Sequence, residues 1–355
     1  LSLADARRLA ALAAACGRVL AVFQNRRWDG DFLALREVLA GGRIGRLTWL
    51  ESRFDRFRPQ VQDRWRERAD EGGGIWLDLG PHLDDQALQL FGLPARVGGR
   101  LRRQRDGAAA DDGCEAWLDY GNLQVSLSAS MLVGGGLPRF AAHGTAGSWI
   151  RHGLDVQEEQ LKAGLVPGAP GWAEDARPAR LRRGEGESVD LPVARGRYEA
   201  FYAAVGEAIR GRGANPVPPA QAVATMAVLE TVVEAARLGR MLPLPLTEAE
   251  RKTLVRLLTK ISAQAAAMGG STAAETSAAP ADPAAVRNPL HHHVGVEAPA
   301  ELALVAGKGG AEDAAHAGGV RKGRQCRVHE NAQHHAPSHA GLVQRAQDPG
   351  GVAAP

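Results

Sequence analysis

Segment 123–131 constrains the fold of this chain more than any other part of its sequence. Leu123, Val125, Leu127, Ala129 and Met131 are separated by single polar residues, three of them serines. Because successive side chains of a strand point to opposite faces of a sheet, this alternation predicts a strand with one face on a core and one small, polar face.

Similar short segments occur on both sides of this strand. Further strands are predicted near residues 46–54, 95–104, 114–120, 138–143 and 147–151, each bounded by Gly, Asn or Pro. Apolar residues at helical spacing predict helices over 2–15, 31–39, 198–210, 219–238 and 247–258. Strands spaced this closely are typical of an antiparallel or mixed sheet, so the pattern predicts an α+β domain with a large sheet.

The first 25 residues have a different pattern. Ser2 can cap a helix that runs through Ala15, and 19–23 is a continuous apolar run of the length expected for a buried parallel strand. A helix followed by such a strand is the last unit of an α/β sheet, and the other strands of that sheet do not occur in the sequence. We therefore expect residues 1–25 to be an α/β remnant.

Composition excludes several classes of function. The 355 residues carry 43 basic and 40 acidic side chains, and the arginines are scattered among acids, so nucleic acid is not an expected partner. No apolar run reaches the length that would span a membrane. The three cysteines are far apart and have no CxxC spacing, which favours a cytoplasmic location.

From about residue 265 the sequence contains few large apolar side chains. Such a segment buries too little surface to offset the entropy of ordering, so residues 265–355 are predicted to be disordered. His291–His293 and His334–His335 lack the spacing of metal ligands, and no metal site is predicted.

Segment 72–92 carries the strongest chemical signal. It places Asp78 and His82 four residues apart where a glycine-rich stretch enters an apolar run of helical period, which puts both near a helix N-terminus. The positive end of the helix dipole favours an ionised carboxylate and a neutral imidazole that can accept a proton. Alternatively, both residues only cap the helix, and Pro81 leaves their register open.

A second candidate cluster follows the apolar run 19–23. Asn25, Arg26, Arg27 and Trp28 lie where ligands bind in open α/β sheets, beyond the carboxyl end of a strand. The alternative is a solvated arginine pair at the start of the next helix. No GxGxxG phosphate loop occurs anywhere in the sequence.

Four motifs in order along the chain resemble those of the Gfo/Idh/MocA oxidoreductases, most closely the subgroup that includes NADP-dependent scyllo-inositol dehydrogenase. They are NRRWDGDF at 25–32, RWRE at 64–67, DLGPHLDDQ at 78–86 and QEEQLKAG at 157–164. The resemblance extends from residue 1 to about 246. It implies a remnant of a Rossmann domain at 1–25 and a substrate and oligomerisation domain at 26–246. A terminal helix at 247–264 and a disordered tail at 265–355 complete the predicted organisation, and the tail has no counterpart in the family.

The resemblance also implies the chemistry. Asp78 and His82 match the catalytic Asp-x-x-x-His, in which the histidine exchanges a proton with a substrate hydroxyl while hydride moves to or from NAD or NADP. Asn25, Arg26 and Lys162 are expected to bind substrate, and Trp65 and Arg66 to approach the cofactor.

Two hypotheses follow from the residues and the resemblance together. The first is an oxidoreductase acting on a polyol or sugar, with little or no turnover by this chain because the family's glycine fingerprint and its Glu-Lys-Pro lysine are absent. The second is a non-catalytic sugar-binding or oligomerising module on the same domain. Both predict a homo-oligomer formed through the open sheet.

Overall fold

Eight strands form one mixed sheet in the computed structural model, which describes residues 2–69 and 72–269. The strands are β1 (Leu47–Arg53), β2 (Arg96–Arg102), β3 (Gly113–Asp119), β4 (Gln124–Ser130), β5 (Phe140–Gly144), β6 (Gly147–Arg151), β7 (Ala179–Arg183) and β8 (Ser188–Leu191). Their spatial order is β2-β3-β4-β1-β5-β6-β7-β8, in which β1 and β4 are parallel and every other neighbouring pair is antiparallel.

Helices and 3₁₀ turns complete the described fold. The helices are α1 (Leu3–Ala15), α2 (Gly30–Ala40), α3 (Ile75–Phe91), α4 (Gln157–Lys162), α5 (Tyr198–Ile209), α6 (Pro219–Leu238) and α7 (Glu248–Gly269). The first 3₁₀ turn is Asn25–Trp28 and the second is Trp65–Glu67. No helix in this part of the chain combines the length and apolar character needed to cross a membrane.

The core lies between one face of the sheet and helices α3 and α6. Val125, Leu127 and Ala129 of β4 are at most 1% exposed, whereas the serines between them are half-buried on the other face. Helix α3 packs on β4, and α6 packs on β2 and on α3. The strand predicted from alternation over 123–131 is therefore confirmed.

Helix α3 begins at Ile75 and continues through Pro81. Proline lacks an N–H, so the carbonyl of Leu77 loses its intrahelical partner, but Leu77 is 37% exposed. The opposite side of the helix is fixed in the core by Trp76, whose Nε1 donates to the Leu229 carbonyl at 3.1 Å. The register left open by Pro81 is thus settled: Asp78 and His82 lie one turn apart on a single helix.

The beginning of α3 depends on a residue from the β2–β3 loop. The backbone N–H of Ile75 donates to the Asp111 carbonyl at 2.7 Å, and that of Trp76 donates to Asp111 Oδ2 at 2.8 Å. The preceding Gly74 has φ +106°, and a Cβ there would lie 2.2 Å from Asp111 Oδ1. Asp111, and not Asp78, therefore caps the helix.

The structure differs from the sequence-based prediction at 19–23. No strand is present there: the run is an extended segment whose side chains pack on α5, with the Phe23 and Phe201 rings 5.0 Å apart. The Leu20 carbonyl accepts from Asn215 Nδ2 at 2.7 Å instead of from a neighbouring strand. The apolar run is explained by burial against a helix, which produces the same composition as burial in a sheet.

Other differences concern elements that were not predicted. Strands β7 and β8 and the short α4 were missed, and α7 continues to Gly269, beyond the predicted end at 264. The predicted capping box of α7 is present, since Glu250 N–H donates to Thr247 Oγ1 at 3.2 Å and Thr247 N–H to Glu250 Oε2 at 2.7 Å. The tail predicted to be disordered began at 265, but residues 265–269 belong to α7, and that part of the prediction is wrong. The rest of the tail, with His291–His293 and His334–His335, lies outside the described residues.

We expect Gly74→Ala to destabilise the fold by about 2–4 kcal/mol, because a side chain there combines backbone strain with displacement of the Asp111 cap. Gly72→Ala is the matched control: its φ is +84°, but a Cβ meets no atom within 4 Å. It should lower the free energy of unfolding by about 1 kcal/mol. Denaturant unfolding followed by circular dichroism compares the two, and equal losses would contradict the capping role of Asp111.

Candidate active site

His82 is oriented by the residue that precedes the first 3₁₀ turn. Its Nδ1 lies 3.2 Å from Gln24 Oε1, a carbonyl oxygen that can only accept. The imidazole proton is therefore assigned to Nδ1, which leaves Nε2 with a lone pair. A histidine in this tautomer can accept a proton at Nε2 without losing the hydrogen bond that positions its ring.

The surroundings keep the His82 imidazole neutral. Burial, followed by the positive charge of Arg26, lowers the pKa of His82 to about 3, while Glu158 opposes the shift. The prediction of a neutral imidazole agrees with this direction. Its main cause is different, however, because desolvation exceeds the effect expected from the helix dipole.

Asp78 does not pair with His82. Its Oδ1 accepts from Arg66 Nε at 3.0 Å, and the Arg66 guanidinium lies 4.5 Å from the centre of the Trp65 ring. The Trp65 side chain is 46% exposed, so a flat aromatic surface faces solvent beside this pair. A cavity of about 20 Å³, lined in part by Asp78 and Arg66, has room for about one water molecule.

Arg26 lies buried beneath His82 in a polar cluster. Its guanidinium donates through Nη1 to Tyr198 Oη at 2.7 Å and through Nη2 to Glu158. Tyr198 in turn donates to Asp29 Oδ1 at 2.7 Å. Burial opposes the positive charge, but Asp29, Tyr198 and Glu158 raise the pKa of Arg26 above its ordinary value. Arg26 is thus a fixed cation whose principal donors already have protein partners.

Lys162 reaches the site only through Glu158. Its Nζ lies 2.9 Å from Glu158 and 2.8 Å from Glu159, and its side chain is 55% exposed. Although burial opposes ionisation, Arg26 and Lys162 lower the pKa of Glu158 to about 2. Glu158 is therefore a permanent anion between two cations. Lys162 contacts Glu158 and Glu159 and not His82 itself.

The first 3₁₀ turn is joined to α3 by a bidentate ion pair. Arg27 Nε and Nη2 donate to the two carboxylate oxygens of Asp85 at 2.8 and 2.6 Å, and both side chains are buried. Gln86 Nε2 also donates to the Arg26 carbonyl at 2.7 Å. Asn25 is half-buried in the same turn. These contacts hold Gln24 in position against His82.

The fold brings the seven predicted site residues into two groups. His82 and Arg26 lie together, with Asn25 in the turn beside them and Lys162 linked through Glu158, whereas Asp78, Arg66 and Trp65 form the second group. Sequence reasoning missed Gln24, Glu158 and Tyr198. Gln24 and Glu158 adjoin or belong to quoted motifs, but no pattern signalled Tyr198.

The donor set fits the reacting end of a nicotinamide cofactor. An exposed indole, with the Arg66 guanidinium on its ring and paired with Asp78, offers a flat aromatic surface, and His82 Nε2 is available for a hydroxyl proton. No phosphate-binding glycine motif accompanies them in the sequence. Among the described residues, no group of three or more His, Cys, Asp or Glu side chains is arranged to hold a metal ion.

His82 should make stability depend on pH. The pKa of His82 is about 3 in the folded chain and about 6.5 in the unfolded chain. Between these two values the unfolded chain binds a proton that the folded chain does not. The free energy of unfolding should therefore fall as pH is lowered from 7 to 5, by up to about 1.4 kcal/mol per pH unit. His82→Gln should reduce this slope, as measured by urea unfolding at several pH values.

An NMR titration checks the same protonation state directly. In ¹⁵N-labelled protein, the resonance assigned by its loss in His82→Gln should remain that of a neutral, Nδ1-protonated imidazole down to pH 5. Titration of that resonance between pH 7 and 5 would show that burial does not control His82.

Comparisons with known proteins identify the family. Residues 36–246 match the Gfo/Idh/MocA family, which is described as "oxidoreductase family, C-terminal alpha/beta domain". An uncharacterized oxidoreductase of Escherichia coli, YdgJ, is 47% identical over 239 residues, which cover 66% of this chain and 69% of that protein. The Bacillus subtilis scyllo-inositol 2-dehydrogenase (NADP(+)) IolW is 33% identical over 233 residues, 64% of this chain and 65% of that protein.

A solved structure from Klebsiella pneumoniae is also similar. Its sequence is 43% identical to this one, and the two structures superpose with a TM-score of 0.68. The match covers 73% of this chain and 72% of that one. The family match covers more than half of the chain, and the E. coli relative shares nearly half of the aligned residues. The chain belongs to the Gfo/Idh/MocA family of oxidoreductases.

Proposed function

We propose that this chain acts in an NAD(P)-dependent oxidoreductase that interconverts a secondary alcohol and a ketone on a polyol or sugar, with His82 as the acid/base group. The observation that carries the proposal is the hydrogen bond from His82 Nδ1 to Gln24, which leaves Nε2 available to a substrate hydroxyl. The name of the B. subtilis relative, a scyllo-inositol dehydrogenase, supports the substrate class and the cofactor.

In the oxidative direction, the substrate loses a proton from its hydroxyl and a hydride from the same carbon. His82 Nε2 takes the proton, and a nicotinamide would supply the acceptor for the hydride when bound. The resulting imidazolium is stabilised by the Glu158 carboxylate and destabilised by Arg26. The neutral resting imidazole is the form that can accept the hydroxyl proton.

Trp65, Arg66 and Asp78 have a supporting role in this proposal. Arg66 contacts the Trp65 ring on one side and Asp78 on the other, so the position of the indole is coupled to helix α3. Arg105 fixes the segment that leads to Trp65 and Arg66, because it donates to the Arg58 and Gln60 carbonyls at 3.1 Å. The indole thereby offers a positioned surface for the nicotinamide end of the cofactor.

The test uses the full chain with NADP⁺ or NAD⁺ and scyllo-inositol, followed by absorbance of the reduced cofactor. His82→Gln should lower the rate by at least about 100-fold. His143→Gln is the matched control, because His143 is also half-buried and its Nδ1 also contacts a side-chain oxygen, Ser148 Oγ at 2.8 Å. The control should retain activity within about twofold.

A second measurement does not depend on turnover. Addition of scyllo-inositol should shift the His82 ring resonances in ¹⁵N-labelled protein and leave those of His143 unchanged. Absence of both turnover and this shift, across a panel of polyols, sugars, sugar acids and sugar phosphates, would overturn the proposed function. Activity that survived His82→Gln within a few-fold would overturn the role of His82.

An oligomerising module is the second candidate function. The face of the sheet opposite α3 and α6 exposes 44% of Trp49, whose ring lies 5.7 Å from that of His143. The neighbouring Glu51 and Arg53 pair with each other at 2.8 Å on the same strand. A broad, ordered surface of this kind suits association with a second copy of the sheet.

Sedimentation velocity tests this assembly. We expect the wild-type chain to sediment as a homo-oligomer and Trp49→Arg to shift it toward monomer. Val166→Arg is the control, since Val166 is 60% exposed but follows α4, outside the sheet. A monomeric wild-type chain would exclude the oligomerising function.

A further inference from the structure

Arg56 is a half-buried cation beside the proposed reacting group that sequence reasoning did not single out. It follows β1 and is held on both sides by β4 and its extension: its N–H donates to the Ser130 carbonyl at 2.8 Å, and its carbonyl accepts from Val133 at 3.1 Å. The backbone that carries this side chain is therefore fixed and not part of a loose loop.

The Arg56 guanidinium lies among the charges of the site. Its positive charge acts on His82, and the charges that act on Arg56 are those of Arg58, Glu158, Asp78 and Arg26. These residues come from the segment after β1 and from α3, α4 and the first 3₁₀ turn. Arg56 thus faces the same space as the proposed proton acceptor.

Unlike its neighbours, Arg56 has no protein partner for its donors. The guanidinium of Arg26 is used by Tyr198 and Glu158, and that of Arg66 by Asp78. Arg139 donates to Ser52 Oγ at 2.6 Å and to Gln86 Oε1 at 2.7 Å.

No side-chain hydrogen bond or ion pair within the described residues includes Arg56. The nitrogens of the half-buried Arg56 side chain are not closed off from solvent. The five N–H donors of its guanidinium are therefore open to a ligand. Partial burial lowers the pKa of Arg56. Glu158 does not relieve this, because its carboxylate is already bound to Arg26 and Lys162. A ligand oxyanion would supply both the missing acceptors and the missing negative charge.

We propose that Arg56 binds an oxyanion substituent, a carboxylate or a phosphate, on the substrate whose hydroxyl faces His82. The inference rests on the proposed function and narrows its substrate class from polyols and sugars in general to those that carry a carboxylate or a phosphate. The substrate is preferred to the cofactor as the source because a hydroxyl bonded to His82 Nε2 places the rest of that molecule within the field of Arg56. Trp65, the surface assigned to the cofactor, contacts Arg66, whose guanidinium is already paired with Asp78.

The probe pair is D-glucuronate and D-glucose, which differ by one carboxylate. Isothermal titration of the full chain should give a dissociation constant at least about tenfold lower for glucuronate, the size of effect expected for a charge-assisted hydrogen bond. D-glucose 6-phosphate tests whether a phosphate serves as well. The preference for the anionic sugars should weaken at high salt, since it depends on charge.

Variants of Arg56 separate recognition from folding. Arg56→Gln should abolish the preference and leave the weaker binding of glucose unchanged, while Arg56→Lys should retain part of it. Arg183→Gln is the control, because Arg183 is an exposed arginine on β7, three strands away from β1 in the sheet. It should keep the wild-type preference.

Three outcomes overturn the proposal. Equal binding of glucose, glucuronate and glucose 6-phosphate would remove the anion preference while leaving the proposed function intact. If the preference for anionic sugars survived Arg56→Gln, another residue would be responsible for it. Loss of NADPH binding in Arg56→Gln, with NADH and glucuronate binding unchanged, would place the oxyanion on the cofactor. If no sugar binds and scyllo-inositol gives neither turnover nor a shift of the His82 resonances, the proposed function is overturned together with this inference.

Discussion

The ion pair between Arg27 and Asp85 is the interaction on which the geometry of the site depends. It fixes the first 3₁₀ turn against the middle of α3 through two hydrogen bonds in a region closed to solvent. Arg27 also donates to Gln221 Oε1 at 2.8 Å, so α6 is tied to the same point. Loss of one partner from a buried pair costs about 3–5 kcal/mol, because the other charge is left without compensation. The hydrogen bond from His82 to Gln24 is a consequence of this attachment.

Carboxyl groups buried around the site have raised pKa values. Burial raises the pKa of Asp29 well above its ordinary value and also raises that of Asp31, although the charges of Arg26 and Arg139, respectively, oppose these shifts. Arg139 supplies a counter-charge to Asp31, and its guanidinium lies 4.0 Å from the Phe54 ring centre and 3.9 Å from that of Phe140. The same burial keeps His82 neutral.

The predictable parts of this fold are those in which local pattern and tertiary burial agree. Helix α6 begins at Pro219 and ends before Gly239, whose φ of +65° suits the residue after a helix, and these ends agree with the helix predicted over 219–238 from apolar spacing. Segment 19–23 shows the opposite case, since apolarity alone does not distinguish a strand from a segment packed on a helix. The positions of Asp78 and His82 on α3 followed from spacing. Their partners did not, because Gln24 is 58 residues from His82 and their meeting depends on the tertiary fold.

The parallel pairing of β1 with β4 has a consequence for how the chain folds. Neither neighbour of β1 in the sheet follows it directly: α3, β2 and β3 are made before β4, and β5 comes later still. Closing so long a loop is entropically unfavourable, so the central strand is expected to pair late and the sheet to form slowly. Until then both edges of β1 expose unpaired backbone groups, which makes the interval between synthesis of β1 and β5 the period of greatest exposure to aggregation.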